Sequence, residues 1–120
     1  MASVLLAEDD ADIRMLVTLK LKQAGHDVRA FADGESALAD ADENVPDLVI
    51  LDIVMPGMSG LEVCRHMRGI PATAEVPIII LSARKQLADV TEGLRTGAND
   101  YITKPFSPRE LAARVEFWLA

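Results

Sequence analysis

The sequence predicts an α/β fold in which five strands and five helices alternate within one domain, residues 1–120. Two patterns support this prediction. Short apolar runs of strand length alternate with longer segments whose apolar residues recur at helical spacing. Apart from Asp47, three of the runs are apolar throughout, as strands covered on both faces are, whereas two mix polar and apolar residues. Such alternation is typical of a three-layer, doubly wound parallel sheet with helices on both faces.

The strands are predicted at residues 4–7, 27–31, 47–51, 77–81 and 100–103. The first, third and fourth are the apolar ones and belong in the centre of the sheet, while the second and fifth suit its edges. Parallel strands joined by one helix require right-handed crossovers. The order 2-1-3-4-5 satisfies both constraints and places the chain reversal between strands one and three.

The helices are predicted from apolar stripes and from end signals. Asp10 is predicted to cap the first helix and Gly25 to end it. Ser59 and Glu62 have the spacing of a capping box, and Ser107 with Pro108 marks the start of the last helix. The second helix is predicted from Asp33-Gly34 to about Asp42. The other stripes are Ile13, Leu16, Val17, Leu21 and Ala24; Met58, Leu61, Cys64 and Met67; Leu87, Val90 and Leu94; and Leu111, Val115 and Trp118 or Leu119.

Composition excludes several classes of function. The net charge is −7, from 12 basic and 19 acidic residues, which argues against direct nucleic-acid binding by this segment. No apolar run approaches a membrane span and no signal peptide is evident, so we expect a cytoplasmic protein. Cys64 is the only cysteine and is predicted to be buried. His26 and His66 lack partners at ligand spacing and are predicted to lie on the surface.

Polar side chains follow four of the predicted strands. Glu8, Asp9 and Asp10 follow the first strand, and Asp52, Ser82 and Lys104 follow the third, fourth and fifth. Because the carboxyl ends of parallel strands meet at one edge, we expect these groups to lie close together. Crowded carboxylates repel one another unless a cation joins them. The pattern therefore predicts a hard divalent metal, Mg²⁺, and chemistry on an anionic group.

A carboxylate at such an edge can attack a phosphoryl group and form an acyl phosphate. That transfer needs a metal, a cation to neutralise charge and donors for the phosphoryl oxygens. Asp9 and Asp52 can supply carboxylates, Lys104 the cation and Ser82 a hydroxyl. Asp10 is better explained as a helix cap than as a ligand.

With these residues in place, the chain resembles the receiver domain of bacterial two-component response regulators over essentially its whole length. The resemblance rests on four motifs: Ala7-Glu8-Asp9-Asp10, residues 51–60, Leu81-Ser82-Ala83 and residues 100–106. It implies a flavodoxin-like fold of the kind found in chemotaxis regulators.

The resemblance also implies roles for individual residues. Asp52 would be the phosphoacceptor, and Ser82 and Tyr101 would form the switch. Lys104 would pair with the phosphoryl group, and its bond to Pro105 would be cis. The Mg²⁺ ligands would be Asp9, Asp52, the backbone carbonyl of Val54, and Glu8 through water.

The implied partner is a sensor histidine kinase or a phosphotransfer protein. Phosphorylation would switch the surface of helix four, strand five and helix five for binding an effector or forming a homodimer. The chain would not be an enzyme, although it would assist its own phosphorylation and dephosphorylation. Two alternatives remain: a fragment of a longer DNA-binding response regulator, and, more remotely, a metal-dependent phosphatase with an aspartyl nucleophile.

Overall fold

The computed structural model describes residues 2–120 and shows the predicted alternation of strands and helices. The strands are β1 (Ser3–Ala7), β2 (Asp27–Phe31), β3 (Leu48–Leu51), β4 (Ile78–Ser82) and β5 (Asp100–Thr103). The helices are α1 (Ala11–Gln23), α2 (Gly34–Glu43), α3 (Gly60–Arg68), α4 (Leu87–Thr96) and α5 (Pro108–Leu119). In this described part of the chain, no helix has the length and apolar character to cross a bilayer.

The five strands form one parallel sheet in the order β2-β1-β3-β4-β5, which confirms the predicted topology. β1, β3 and β4 are buried almost throughout, because helices cover both of their faces. β1 and β3 pair with Ala7 opposite Leu51. The residues that follow these two strands therefore start from adjacent positions at the same edge.

Two apolar clusters lie on opposite faces of the sheet. On one face, Ala37 and Ala41 of α2 and Val63 and Met67 of α3 pack against alternate strand residues such as Leu51. On the other face, Val17 and Leu21 of α1 and Leu111 and Val115 of α5 pack against the intervening residues such as Ile50. Cys64 is fully buried in the first cluster, as predicted. The alternation of strand side chains thus separates the two helix layers.

The predicted helix caps are present. The Asp10 carboxylate accepts the amides of Asp12 and Ile13 at the start of α1. Ser59 and Glu62 form a reciprocal capping box at α3, and Ser107 accepts the amide of Glu110 at α5. These local bonds satisfy helix-end N–H groups and fix where each strand-to-helix loop ends.

The structure corrects several predictions, including the inner stripe of α4, where Leu87 is 82% exposed and Leu94 is 43% exposed. Leu16 is 44% exposed and Ala24 is also exposed, so the inner stripe of α1 is narrower than the spacing indicated. β3 and β4 each begin one residue later than predicted, and β4 extends to Ser82. His26 is not a surface residue: its side chain is 8% exposed, and its Nε2 lies 2.6 Å from Glu116 Oε1 on α5. His66 is exposed, as predicted.

Candidate functional site

The acidic residues meet where the sheet reverses its order. The amide of Asp52 donates to the carbonyl of Ala7 at 3.0 Å, so the strand pairing continues one residue beyond β3. This backbone bond brings the side chains of Glu8, Asp9 and Asp52 together. One carboxylate oxygen from each of the three lies within 4.8 Å of the others. The predicted convergence of the acids is therefore seen in the structure.

The three acids differ in exposure. Glu8 is 1% exposed and Asp52 is 6% exposed, whereas Asp9 faces solvent. The site is thus an acidic pocket with a buried floor and one open acidic rim. Burying ionised carboxylates is unfavourable unless cations or hydrogen bonds compensate them.

Lys104 compensates part of this charge. Its Nζ lies 2.7 Å from Glu8 Oε1 and 3.0 Å from Asp52 Oδ2. The Lys104 amide donates to the Ser82 carbonyl at 2.8 Å, which extends the β4–β5 pairing, and the following peptide bond to Pro105 is cis, as the resemblance implied. In residues 2–120, Lys104 is the one cationic side chain in ion-pair contact with these carboxylates.

The electrostatics of the pocket shift two pKa values. Burial raises the pKa of Glu8 to about 7; contacts with Lys104 and the Asp10 amide oppose this rise, and the charge of Asp52 adds to it. Burial would lower the pKa of Lys104, but the carboxylates of Glu8 and Asp52 outweigh it and raise that pKa. Lys104 therefore stays charged, while Glu8 favours its neutral form more than an ordinary glutamate does.

The residues present fit a hard divalent cation. Two buried acids and one exposed acid face a single ammonium group, so the cluster keeps an excess of negative charge when its acids are ionised. Asp9 makes no side-chain hydrogen bond or ion pair within residues 2–120, which leaves its oxygens available. One or two carboxylates with water and a phosphate oxygen are the ligands that Mg²⁺ prefers.

The β1–α1 loop is held by a residue that the sequence analysis did not select. Arg14, one turn into α1, donates from Nη1 to the carbonyls of Glu8 at 2.8 Å and Asp9 at 3.4 Å. The amide of Asp10 also donates to Glu8 Oε2 at 3.2 Å. Arg14 lies four residues after the Asp10 cap, and residues i and i+4 lie on one helix face. That spacing was the signal from which its contact with the loop could have been predicted.

The loop from Asp52 to Ser59 leaves β3 and leads into α3. Asp52 Oδ1 accepts the amide of Val54 at 3.3 Å, and the Gly60 amide donates to the Ile53 carbonyl at 3.0 Å. A Cβ on Gly60 would lie 2.0 Å from the Asp52 carbonyl oxygen, so only glycine permits this approach. The loop is therefore closed tightly beside Asp52.

Ser82 and Tyr101 lie on neighbouring strands. Ser82 is fully buried, and its Oγ accepts the amide of Arg84 at 3.2 Å. The Tyr101 hydroxyl donates to the Arg84 carbonyl at 2.5 Å, and its ring lies against Gly93 of α4. Burial raises the pKa of Tyr101. Both side chains thus hold the loop that follows β4, although Ser82 and Asp52 share no hydrogen bond within residues 2–120.

The strand order and the acids at its reversal point define a doubly wound α/β protein with an anionic, cation-compatible site. The family model described as "Response regulator receiver domain" matches residues 4–116. The chain therefore belongs to the response regulator receiver family. This assignment decides against the aspartyl phosphatase alternative.

Curated relatives and a solved structure agree with the assignment. The chain is 46% identical over 112 residues to the DNA-binding response regulator MtrA of Mycobacterium tuberculosis, covering 93% of this chain and 48% of MtrA. It is 42% identical over 113 residues to the phosphate regulon transcriptional regulatory protein PhoB of Escherichia coli, covering 94% of this chain and 49% of PhoB. Its fold matches the chemotaxis protein CheY4 of Vibrio cholerae with a TM-score of 0.92 and 34% identity, covering 98% of each chain.

The chain spans about half the length of the curated relatives it matches. The activity of the other half of each relative is a property of that relative and is not carried over to this chain.

Proposed function

We propose that this receiver domain accepts a phosphoryl group on Asp52 in a Mg²⁺-dependent reaction and responds through its α4–β5–α5 surface. The observation that carries the proposal is the meeting of Glu8, Asp9 and Asp52 within 4.8 Å, with Lys104 3.0 Å from Asp52. Response regulators pair with histidine kinases, so we propose a phosphohistidine of such a kinase as the donor. A phosphotransfer protein would supply the same chemical group.

The metal would be held by Asp9, Asp52 and the Val54 carbonyl, with Glu8 acting through water. When bound, Mg²⁺ supplies charge neutralisation for the transferred group. Because Lys104 contacts Asp52 in the unphosphorylated chain, its ammonium is already close to where the phosphoryl oxygens would be. It would then stabilise negative charge without a large rearrangement.

In the transfer, one carboxylate oxygen of Asp52 forms a bond to phosphorus, and the bond from phosphorus to the donor nitrogen breaks. The leaving imidazole keeps the electron pair of that bond. The product is an acyl phosphate on Asp52. Hydrolysis later breaks the same linkage and releases inorganic phosphate, so the chain is restored without being a catalyst for another substrate.

Ser82 and Tyr101 would pass the change to the surface. Both side chains already bond the backbone of Arg84. If the Ser82 hydroxyl turns to the phosphoryl group, it leaves the Arg84 amide, and the loop above Tyr101 has to adjust. Tyr101 packs on α4, so this adjustment reaches the α4–β5–α5 surface.

The experiment is intact-mass measurement after incubation with acetyl phosphate and Mg²⁺. We expect the parent protein to gain the mass of one phosphoryl group and Asp52→Asn to gain none. EDTA should abolish the gain in the parent. Labelling retained in Asp52→Asn would place the acceptor elsewhere and contradict the proposal.

For the whole protein, we propose that this domain controls an output segment that binds DNA, as the names of MtrA and PhoB describe for those relatives. Phosphorylation-dependent homodimerisation would use the α4–β5–α5 surface. In the single chain, Arg114 of α5 pairs with Asp100 of β5 at 2.9 Å. A dimer based on charge would have to exchange that pair. Sedimentation with and without beryllofluoride would show whether the chain dimerises.

A further inference from the structure

We propose that Glu35, the second residue of α2, is a positioning residue for the phosphorylation site, and this inference rests on the proposed function. Glu35 Oε1 accepts the amide of Met58 at 2.9 Å. Met58 lies in the β3–α3 loop, residues 52–59, which begins at Asp52 and includes the Val54 carbonyl. The contact links residues that are 23 positions apart and joins α2 to that loop.

Two close approaches show that α2 is fitted to this loop. A Cβ on Gly34 would lie 2.7 Å from the Met58 carbonyl oxygen and 2.8 Å from Val63 Cγ2, so α2 approaches as closely as a glycine allows. Gly57 has a φ of +73°, and a Cβ there would meet both carboxylate oxygens of Glu35, at 2.7 and 2.9 Å. The carboxylate therefore lies directly against the tip of the loop.

Backbone hydrogen bonds hold the two ends of the loop. The Asp52 amide donates to the carbonyl of Ala7 in β1, and the Gly60 amide donates to the Ile53 carbonyl. Between these anchors, Val54 is 55% exposed and its carbonyl is a proposed metal ligand. The bond from Glu35 to Met58 is the anchor that restrains the exposed part of the loop from the α2 side. Restraining a ligand-bearing loop lowers the entropy lost when the metal binds.

The charge of Glu35 suits its place at the start of a helix. A carboxylate in the first turn interacts favourably with the helix dipole, and a hydrogen bond to an ionised acceptor is stronger than a neutral one. Within residues 2–120, Glu35 makes no hydrogen bond or ion pair with Asp52 or Lys104, so it acts as a positioning residue.

The test compares Glu35→Ala, Glu35→Gln and Glu43→Ala with the parent protein. Glu43 is the last residue of α2, is exposed and has the same charge, so it controls for the loss of a carboxylate from the helix. The measurements are the Kd for Mg²⁺ by calorimetry, amide exchange at Met58, and phosphoryl labelling at limiting and saturating Mg²⁺.

We expect Glu35→Ala to weaken Mg²⁺ binding about fivefold, the equivalent of one hydrogen bond. Exchange at Met58 should quicken, and labelling should fall at limiting Mg²⁺ and recover at saturation. Glu35→Gln keeps an acceptor oxygen, so its Kd should stay within about twofold of the parent. Glu43→Ala should match the parent.

Three results would overturn the inference. An unchanged Kd in Glu35→Ala with only a lower melting temperature would show a purely structural contact. If Glu35→Gln bound Mg²⁺ as weakly as Glu35→Ala, the negative charge and not the hydrogen bond to Met58 would set the Kd. Weaker Mg²⁺ binding by Glu43→Ala would lead to the same conclusion. Failure of the parent protein to bind Mg²⁺, or labelling of Asp52→Asn, would instead refute the proposed function.

Discussion

At the scale of single residues, the site is governed by charges that one ammonium group cannot balance. Lys104 contacts two buried acids at once, and burial raises the pKa of one of them, Glu8, to about 7. The contribution of the Glu8 carboxyl to folding stability therefore depends on whether it is protonated and on which cations are bound near it.

Replacing Lys104 by Ala removes a cation that competes with metal for the same carboxylates. We expect Lys104→Ala to bind Mg²⁺ at least as tightly as the parent protein, as measured by calorimetry. The metal-free variant should lose about 3 kcal/mol of unfolding free energy, because two buried acids lose their counter-ion. Phosphorylation should no longer change the environment of Tyr101. Weaker Mg²⁺ binding would contradict this role for Lys104.

The pKa of Glu8 predicts how metal-free stability depends on pH. In the unfolded chain Glu8 has its ordinary pKa of 4.5, whereas in the folded chain the value is about 7. Between these values the folded protein binds more protons, so its unfolding free energy falls as pH rises and levels off above pH 7. Urea titrations without metal should show this fall relative to Glu8→Gln, which cannot ionise. Parallel curves for the two proteins would disprove the shift.

At the scale of elements, strand ends and helix starts divide the acidic residues into two groups with different tasks. Asp10 caps α1 through two amides, whereas Asp9, its neighbour, contributes an oxygen to the acidic cluster. Because of the backbone turn between β1 and α1, one of these adjacent side chains caps the helix and the other joins the acidic cluster. Substitutions at the two positions should therefore have different consequences.

Asp10→Ala should destabilise the domain by about 1 kcal/mol, the usual effect of losing a helix cap, and leave the Kd for Mg²⁺ nearly unchanged. Asp9→Ala should raise that Kd strongly and should not reduce metal-free stability, because it removes a repelling charge. Chemical unfolding and calorimetry on both variants measure the two quantities. Equal losses of Mg²⁺ affinity would show that Asp10 belongs to the metal site.

In the whole molecule, one apolar core packs on each face of the sheet. The acidic residues of the site lie together at the carboxyl edge of that sheet, in a chain whose net charge is −7. The folded chain brings these acids together, and the unfolded chain does not. A cation that binds only the assembled cluster therefore stabilises the entire domain by mass action.

We expect Mg²⁺ to raise the melting temperature in proportion to the logarithm of its concentration. At one hundred times Kd the gain is about 2.7 kcal/mol, which corresponds to roughly 10 °C or more for a domain of this size. Asp9→Ala should lose the response, and NaCl at matched ionic strength should not reproduce it. A melting temperature that ignores Mg²⁺ would refute a metal site here.

Much of the fold and of the site could be predicted from local patterns. The apolar runs predicted strand order correctly, because only strands buried on both faces are apolar throughout. The caps at Asp10, Ser59 and Ser107 were predictable because capping uses residues three or fewer positions apart. The position of acids after strands predicted their meeting, since parallel strands end at one edge.

The remaining features depend on contacts between residues distant in the chain. The burial of His26 against Glu116, 90 positions away, and the exposure of Leu16 depend on how α5 and α1 lie on the sheet. Side-chain directions at packed surfaces likewise determine two other contacts. Lys104 pairs with Glu8 as well as with Asp52, and Glu35 accepts the amide of Met58. Periodicity and burial are local properties, so they were enough to predict the elements, their order and the edge that holds the acids. The partner of each charged side chain depends instead on packing across the sheet, which no local pattern specifies.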